Sequence, residues 1–140
     1  MLISFDEAVS NGPIGAFTCY DLEEAEGVLE AARAKERSVI LLVSGGYFER
    51  PNGPRFVAAM SAFADRHPAR ACIQLDHVRD LDLIEAALEL GVGAVMADGS
   101  RMALDMNIAF VAAAVRIADR YGAGVEAELG GTVVAQTTTS

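Results

Sequence analysis

The chain has 140 residues, 52% of them hydrophobic, and a formal charge of −9. That is enough for one domain with a sizeable core. The acidic balance argues against general nucleic-acid binding, which rests on basic surface, but leaves room for a small phosphate ester, which needs only a few local donors. No apolar run approaches the ~18 residues that span a membrane. The N-terminus carries Asp6 and Glu7 within a short apolar stretch, unlike a signal peptide, so a cytoplasmic protein is the default expectation. Cys19 and Cys72 lie far apart and form no C-x-x-C pair; each falls in an expected strand and reads as a small buried hydrophobe.

In chain order the pattern alternates strand and helix. Gly15-Ala16-Phe17-Thr18-Cys19 reads as the first strand. Asp21 then caps a helix with Glu24 at capping-box spacing, and Leu22, Ala25, Leu29 and Ala32 give it an apolar stripe of helical period. Val39-Ile40-Leu41-Leu42-Val43 is a continuous apolar run of the kind buried on both faces of a parallel sheet. A loop with glycine and proline is expected from Ser44 to Pro54, then a helix from about Arg55 to Arg66, stopped near Pro68. Ala71-Cys72-Ile73-Gln74-Leu75 is the third strand. Asp80 starts a helix that turns Leu81, Ile84, Ala87 and Leu88 inward and is closed by Gly91. Gly93 to Ala97 is the fourth strand. Asp105 opens the longest helix, with an expected stripe of Met106, Phe110, Ala113, Ile117 and Tyr121, and Gly122 closes it. Gly124 to Leu129 is the fifth strand. A helix end, Gly-x-Gly and a strand recur at Gly91 and at Gly122, as in a barrel or wound sheet, where right-handed crossovers joining parallel strands are nearly forced. From Gly130 to Ser140 there is no charge and no helical stripe, so residues 131–140 are expected to be a polar, frayed tail behind a domain of residues 1–130.

Chemistry-bearing residues gather at the strand ends, where α/β proteins place their sites. Asp76-His77 follows the third strand; Asp76 suits acid–base work and His77 metal ligation, with a helix N-cap and a surface imidazole as the plain alternative. Asp98-Gly99-Ser100 follows the fourth strand and has the form of a capping turn. Glu126 and Glu128 share side-chain parity and would face a barrel interior, where a carboxylate needs a cation or donors. Glu128 suits a metal or substrate, and the deeper Glu126 a hydrogen-bond network. Ser44-Gly45-Gly46 offers a hydroxyl and backbone amides to a phosphate or sugar oxygen, or is a plain loop. His67, at a helix end beside Pro68, is expected to be solvent-exposed.

Taken together, these segments resemble the class II, metal-dependent ketose-bisphosphate aldolases. The likeness runs through Ala16-Phe17-Thr18-Cys19-Tyr20-Asp21-Leu22-Glu23, Val39 to Ser44 with Gly46, Leu75-Asp76-His77, Val95 to Ser100 with Asn107-Ile108, and Val125 to Gly130. The resemblance implies a (β/α)₈ barrel, of which this chain would be the N-terminal part, about five strands with four crossover helices. It implies a zinc-dependent cleavage of a phosphorylated sugar, a ketose bisphosphate, to dihydroxyacetone phosphate and an aldehyde. Carried over, Asp76 handles the C4 hydroxyl proton, His77 is a zinc ligand, Asp98 and Glu128 line the metal region, and Ser44 contacts substrate.

The chain also departs from the family. The second and third zinc histidines and the phosphate-binding glycine loop belong to strands beyond these. Gln74 stands where a histidine is usual, Val78 where a small residue is, and the stretch after Gly130 has no acid. The expectation is a truncated or frameshifted aldolase. A half-barrel has open edges at both ends, which predicts self-association or a partner that completes it. Two other readings are a non-catalytic remnant or interaction module, and a barrel lyase that holds Mg²⁺ through Asp76, Asp98 and Glu128.

Overall fold

The computed structural model describes residues 1–130; the expected tail at 131–140 lies outside them. The elements run α1 (Phe5–Val9), β1 (Gly15–Thr18), α2 (Leu22–Ala34), β2 (Val39–Ser44), α3 (Gly45–Phe48), α4 (Gly53–Arg66), β3 (Ala71–Val78), α5 (Leu81–Glu89), β4 (Ala94–Ala97), α6 (Leu104–Asp119) and β5 (Gly124–Ala127). The five strands form one sheet in the order β1-β2-β3-β4-β5, and every neighbouring pair is parallel. Each strand therefore pairs with the next along the chain through a crossover containing a helix. This is the wall of a barrel rather than a doubly wound sheet, whose strand order reverses at a switch point.

The two faces of the sheet have different partners. Leu41, Val43, Ile73, Leu75 and Val95 point to the helices and pack with Leu29, Val57, Met60, Ile84 and Ala114 in the main core. Ile40, Cys72 and Ala94 face the other way, the barrel interior, where Ile3, Phe5 and Ala8 cover them. So α1 closes the floor of the barrel. Gly124 is required there, because a Cβ at that position would come within 2.4 Å of the Phe5 ring. The sequence carries the signal for α1 in Ser4 and Glu7: Ser4 caps the helix, and Glu7 returns a bond to the Ser4 backbone. Both cysteines are buried and free, and burial pushes their thiols up, to about 11 for Cys19 and about 12 for Cys72.

Capping explains most of the boundaries. Asp21 accepts from the Glu24 amide at 2.8 Å, and the Glu24 carboxylate accepts from the Tyr20 amide at 2.7 Å. Asp80 caps α5 through the amides of Asp82 and Leu83. Gly91 and Gly122 close α5 and α6 with φ of 87° and 64°.

Four local expectations are corrected. The stretch after β2 is not all loop: Ser44 caps a short helix, α3, by accepting from the Tyr47 amide at 3.2 Å. The third strand runs on past Leu75 to Val78. The buried face of α6 is Asn107, Ala114 and Ala118, whereas Met106 is 64% exposed; Phe110 and Ile117 sit at the margin of the core. Small alanines let the helix approach the sheet, and this outweighs the bulk of the expected stripe. His67 is not exposed: its side chain is 9% accessible, Nδ1 accepts from the Ala69 amide at 3.1 Å, and Nε2 bonds Glu30 at 3.0 Å. It lies before β3, at the floor end of the sheet.

Candidate functional site

The sheet interior grades from apolar to acidic along the strands. Near the floor lie Ile40, Cys72 and Ala94. One step up, buried Gln74 donates from Nε2 to Glu126 at 2.7 Å, so Glu126 has the expected hydrogen-bond partner, although it is exposed and not deeper than Glu128. At the C-terminal ends stand Asp76, His77, Asp98 and Glu128.

A bulge brings these together. In the β3–β4 ladder Leu75 pairs with Val95 and Val78 with Ala97, so Asp76 and His77 together oppose Met96 alone. His77 takes a φ of 51°, in the left-handed region that a non-glycine residue seldom visits. Without the extra residue, strand alternation would send His77 to the face opposite Asp76. With it, the His77 ring is re-aimed toward β4 and β5, the function a bulge commonly serves beside a site. The bulge rests on α3: a Cβ on Gly45 would come within 2.8 Å of the His77 carbonyl oxygen and 3.4 Å of that of Asp76. Asp76 is therefore not a helix cap, since Asp80 fills that position.

His77 Nδ1 lies 3.4 Å from Asp98 Oδ2 and 3.5 Å from Glu128 Oε2. One ligand atom from each of His77, Asp98 and Glu128 falls within 4.8 Å of the others. An imidazole and two carboxylates at this spacing suit a divalent cation that accepts mixed nitrogen and oxygen donors, as zinc does. Asp98 is 1% exposed. Its Oδ1 accepts from the Ser100 amide at 3.1 Å and from the Ser100 hydroxyl, so the expected turn is present, but it caps no helix: α6 has Ala103 at its N-cap and no side-chain cap. Asp98 Oδ2 accepts from Arg79. Burial pushes the Asp98 carboxyl up, but the bonds from Ser100, Arg79 and His77 prevail and hold it at about 2. Asp76 moves the other way: burial raises its carboxyl, Glu126 and Glu128 add to the rise, and His77 opposes it.

The low value for Asp98 has a consequence for acid stability. The folded pKa lies below the ordinary carboxylate value, so the stabilisation is present above about pH 4 and is lost as pH falls through about 2. In chelator, urea titrations should show that loss in the wild type and a flatter pH dependence in Asp98→Asn; equal slopes would mean that Asp98 is not the group responsible.

Ser44 pairs in register with Asp76, so its hydroxyl stands beside the acidic end of β3 while capping α3. Two contributors escaped the sequence reading. Arg79 carries no motif. Asn107 stands out in the sequence only through the family resemblance, yet its Nδ2 donates to the Glu128 carbonyl at 2.9 Å and so ties the end of β5 to α6. Gly99 is required beneath it, because a Cβ there would overlap the Asn107 side chain at 1.9 Å.

The wall and the acid-lined strand ends are those of part of a (β/α)-barrel, with the candidate site at its C-terminal rim. The sequence profile of the family "Fructose-bisphosphate aldolase class-II" matches residues 4–139, and the chain belongs to that family. It is 32% identical over 118 residues to the fructose-bisphosphate aldolase of Giardia intestinalis, covering 84% of this chain and 36% of that protein. It is also 32% identical over 117 residues to the D-tagatose-1,6-bisphosphate aldolase subunit GatY of Klebsiella oxytoca, covering 84% of this chain and 41% of that one. Among solved structures, the YdjI aldolase of Escherichia coli K12 superposes with a TM-score of 0.83 at 27% identity, over 93% of this chain and 51% of its own. The fructose-bisphosphate aldolase of Campylobacter jejuni gives 0.77 at 24%, over 94% and 47%, a likeness of fold. The chain thus spans about half or less of the relatives it matches. No helix among the described residues is long and apolar enough to cross a membrane.

Proposed function

We propose that this chain carries the acid–base residue and one histidine-based part of the zinc site of a class II ketose-bisphosphate aldolase. The convergence of His77, Asp98 and Glu128 beside Asp76 supports this reading. His77, Asp98 and Glu128 would hold the zinc, which when bound takes up the charge developing on the ketose carbonyl oxygen. Asp76 accepts the C4 hydroxyl proton as the C3–C4 bond breaks, the electron pair passing toward the carbonyl and the aldehyde leaving. A carboxyl raised by burial is better matched to that transfer near neutral pH than an ordinary one. Ser44, beside Asp76, donates its hydroxyl proton to an oxygen of the phosphorylated sugar. Gln74 fixes Glu126 below, which keeps a second charge at a set distance from Asp76.

Among the described residues β1 and β5 each have one neighbour, and Phe17 on β1 and Leu129 after β5 are 51% and 76% exposed. These open edges suit pairing with further barrel strands, on which the remaining zinc ligands would lie. Buried free thiols suit a reducing compartment such as the cytoplasm.

Zinc titration by calorimetry, beside His77→Ala with its circular dichroism checked, tests the reading. Near-stoichiometric zinc lost in the variant is the expected result. Absence of specific zinc binding, binding indifferent to His77, or a preference for Mg²⁺ that survives His77→Ala would overturn it, the last in favour of a carboxylate site.

A further inference from the structure

The cation site already contains a cation. Arg79 follows directly on the bulged strand, and its Nη2 bonds Asp98 Oδ2. That is the oxygen facing His77 Nδ1 at 3.4 Å. The other oxygen of Asp98 is taken by the amide and hydroxyl of Ser100. A metal ion shared by His77, Asp98 and Glu128 would share Oδ2 with Arg79 and would meet the guanidinium charge at close range, so the two cations compete for one oxygen. Arg79 can leave: its side chain is 48% exposed on a long flexible stem, whereas Asp98 is 1% exposed and fixed.

We propose that Arg79 is a tethered counter-cation that neutralises Asp98 while the metal is absent and must be expelled for a divalent ion to bind His77, Asp98 and Glu128. The inference rests on the metal reading above and adds a competition internal to the chain. Arg79 keeps a buried carboxylate paired, so the metal-free site does not carry an uncompensated charge. Every metal-binding event then includes the breaking of one charge-assisted bond.

The test compares zinc affinity of the wild type, Arg79→Gln and His77→Ala by chelator competition. Arg79→Gln should bind zinc about 10- to 100-fold more tightly, the range expected when a charge-assisted hydrogen bond no longer has to be broken. A second measurement needs no variant. Zinc should increase the rate at which phenylglyoxal modifies Arg79 in the wild type, read by mass spectrometry of the peptide. Unchanged affinity in Arg79→Gln, or an Arg79 whose reactivity is unchanged or lowered by zinc, would overturn the proposal while leaving the His77-dependent site standing. Failure of the wild type to bind zinc through His77 would overturn both.

Discussion

Replacing Gly45 with alanine is expected to weaken zinc binding roughly tenfold, the equivalent of about 1.4 kcal/mol of distortion in the ligand set. It should also destabilise the fold by about 1–3 kcal/mol, the usual range for overpacking. The reason is that the added Cβ would meet backbone rather than the end of a flexible side chain. It would stand 2.8 Å from the His77 carbonyl oxygen and 3.4 Å from that of Asp76. Relief requires moving either α3 or the bulge. Ser44 anchors α3 at its first turn through the Tyr47 amide, so part of the shift falls on the bulge. His77 sits there at a φ of 51°, a conformation held by its surroundings rather than favoured by its own backbone. Urea unfolding and zinc titration of Gly45→Ala together check this. A variant as stable as the wild type with undiminished affinity would show that the bulge does not depend on α3.

Leu75→Ala should cost about 2–5 kcal/mol of stability, the range for removing a buried leucine. Set against the ~5–15 kcal/mol typical of a whole domain, that is a large fraction. Leu75 is wholly buried, lies on the central strand of the five, and pairs laterally with Val43 and Val95. Its side chain fills the helix-facing core, so the cavity would open under the strand that presents Asp76 and His77. Leu75→Met, close in volume, should cost less than about 1.5 kcal/mol. Denaturant midpoints at unchanged slope decide the matter; equal costs for alanine and methionine would mean that packing at this position is loose.

The sequence carries the elements and the chemistry in local form. Alternating apolar runs and caps such as Asp21 and Asp80 mark the strands and helices, because periodicity and capping are properties of a few adjacent residues. Asp76, His77, Asp98 and Glu128 were legible as acids and a histidine at successive strand ends, since parallel strands joined by similar crossovers bring those ends to one rim. The sequence even holds the cap of α1, in Ser4 and Glu7. What it does not contain is the outcome of contacts between distant segments. The two-against-one bulge at Asp76 and His77 has no glycine to mark it; it follows from β4 pairing on one side and Gly45 packing on the other. His67 finds a hydrogen-bond partner in Glu30, 37 positions away. The face of α6 is the one where Ala114 and Ala118 let the helix approach the sheet and Asn107 reaches the Glu128 carbonyl, not the one with the bulkiest apolar residues. Arg79 becomes part of the site only because β3 and β4 lie side by side. Local pattern determined which residues could act; the long-range packing of strand against strand decided which of them meet.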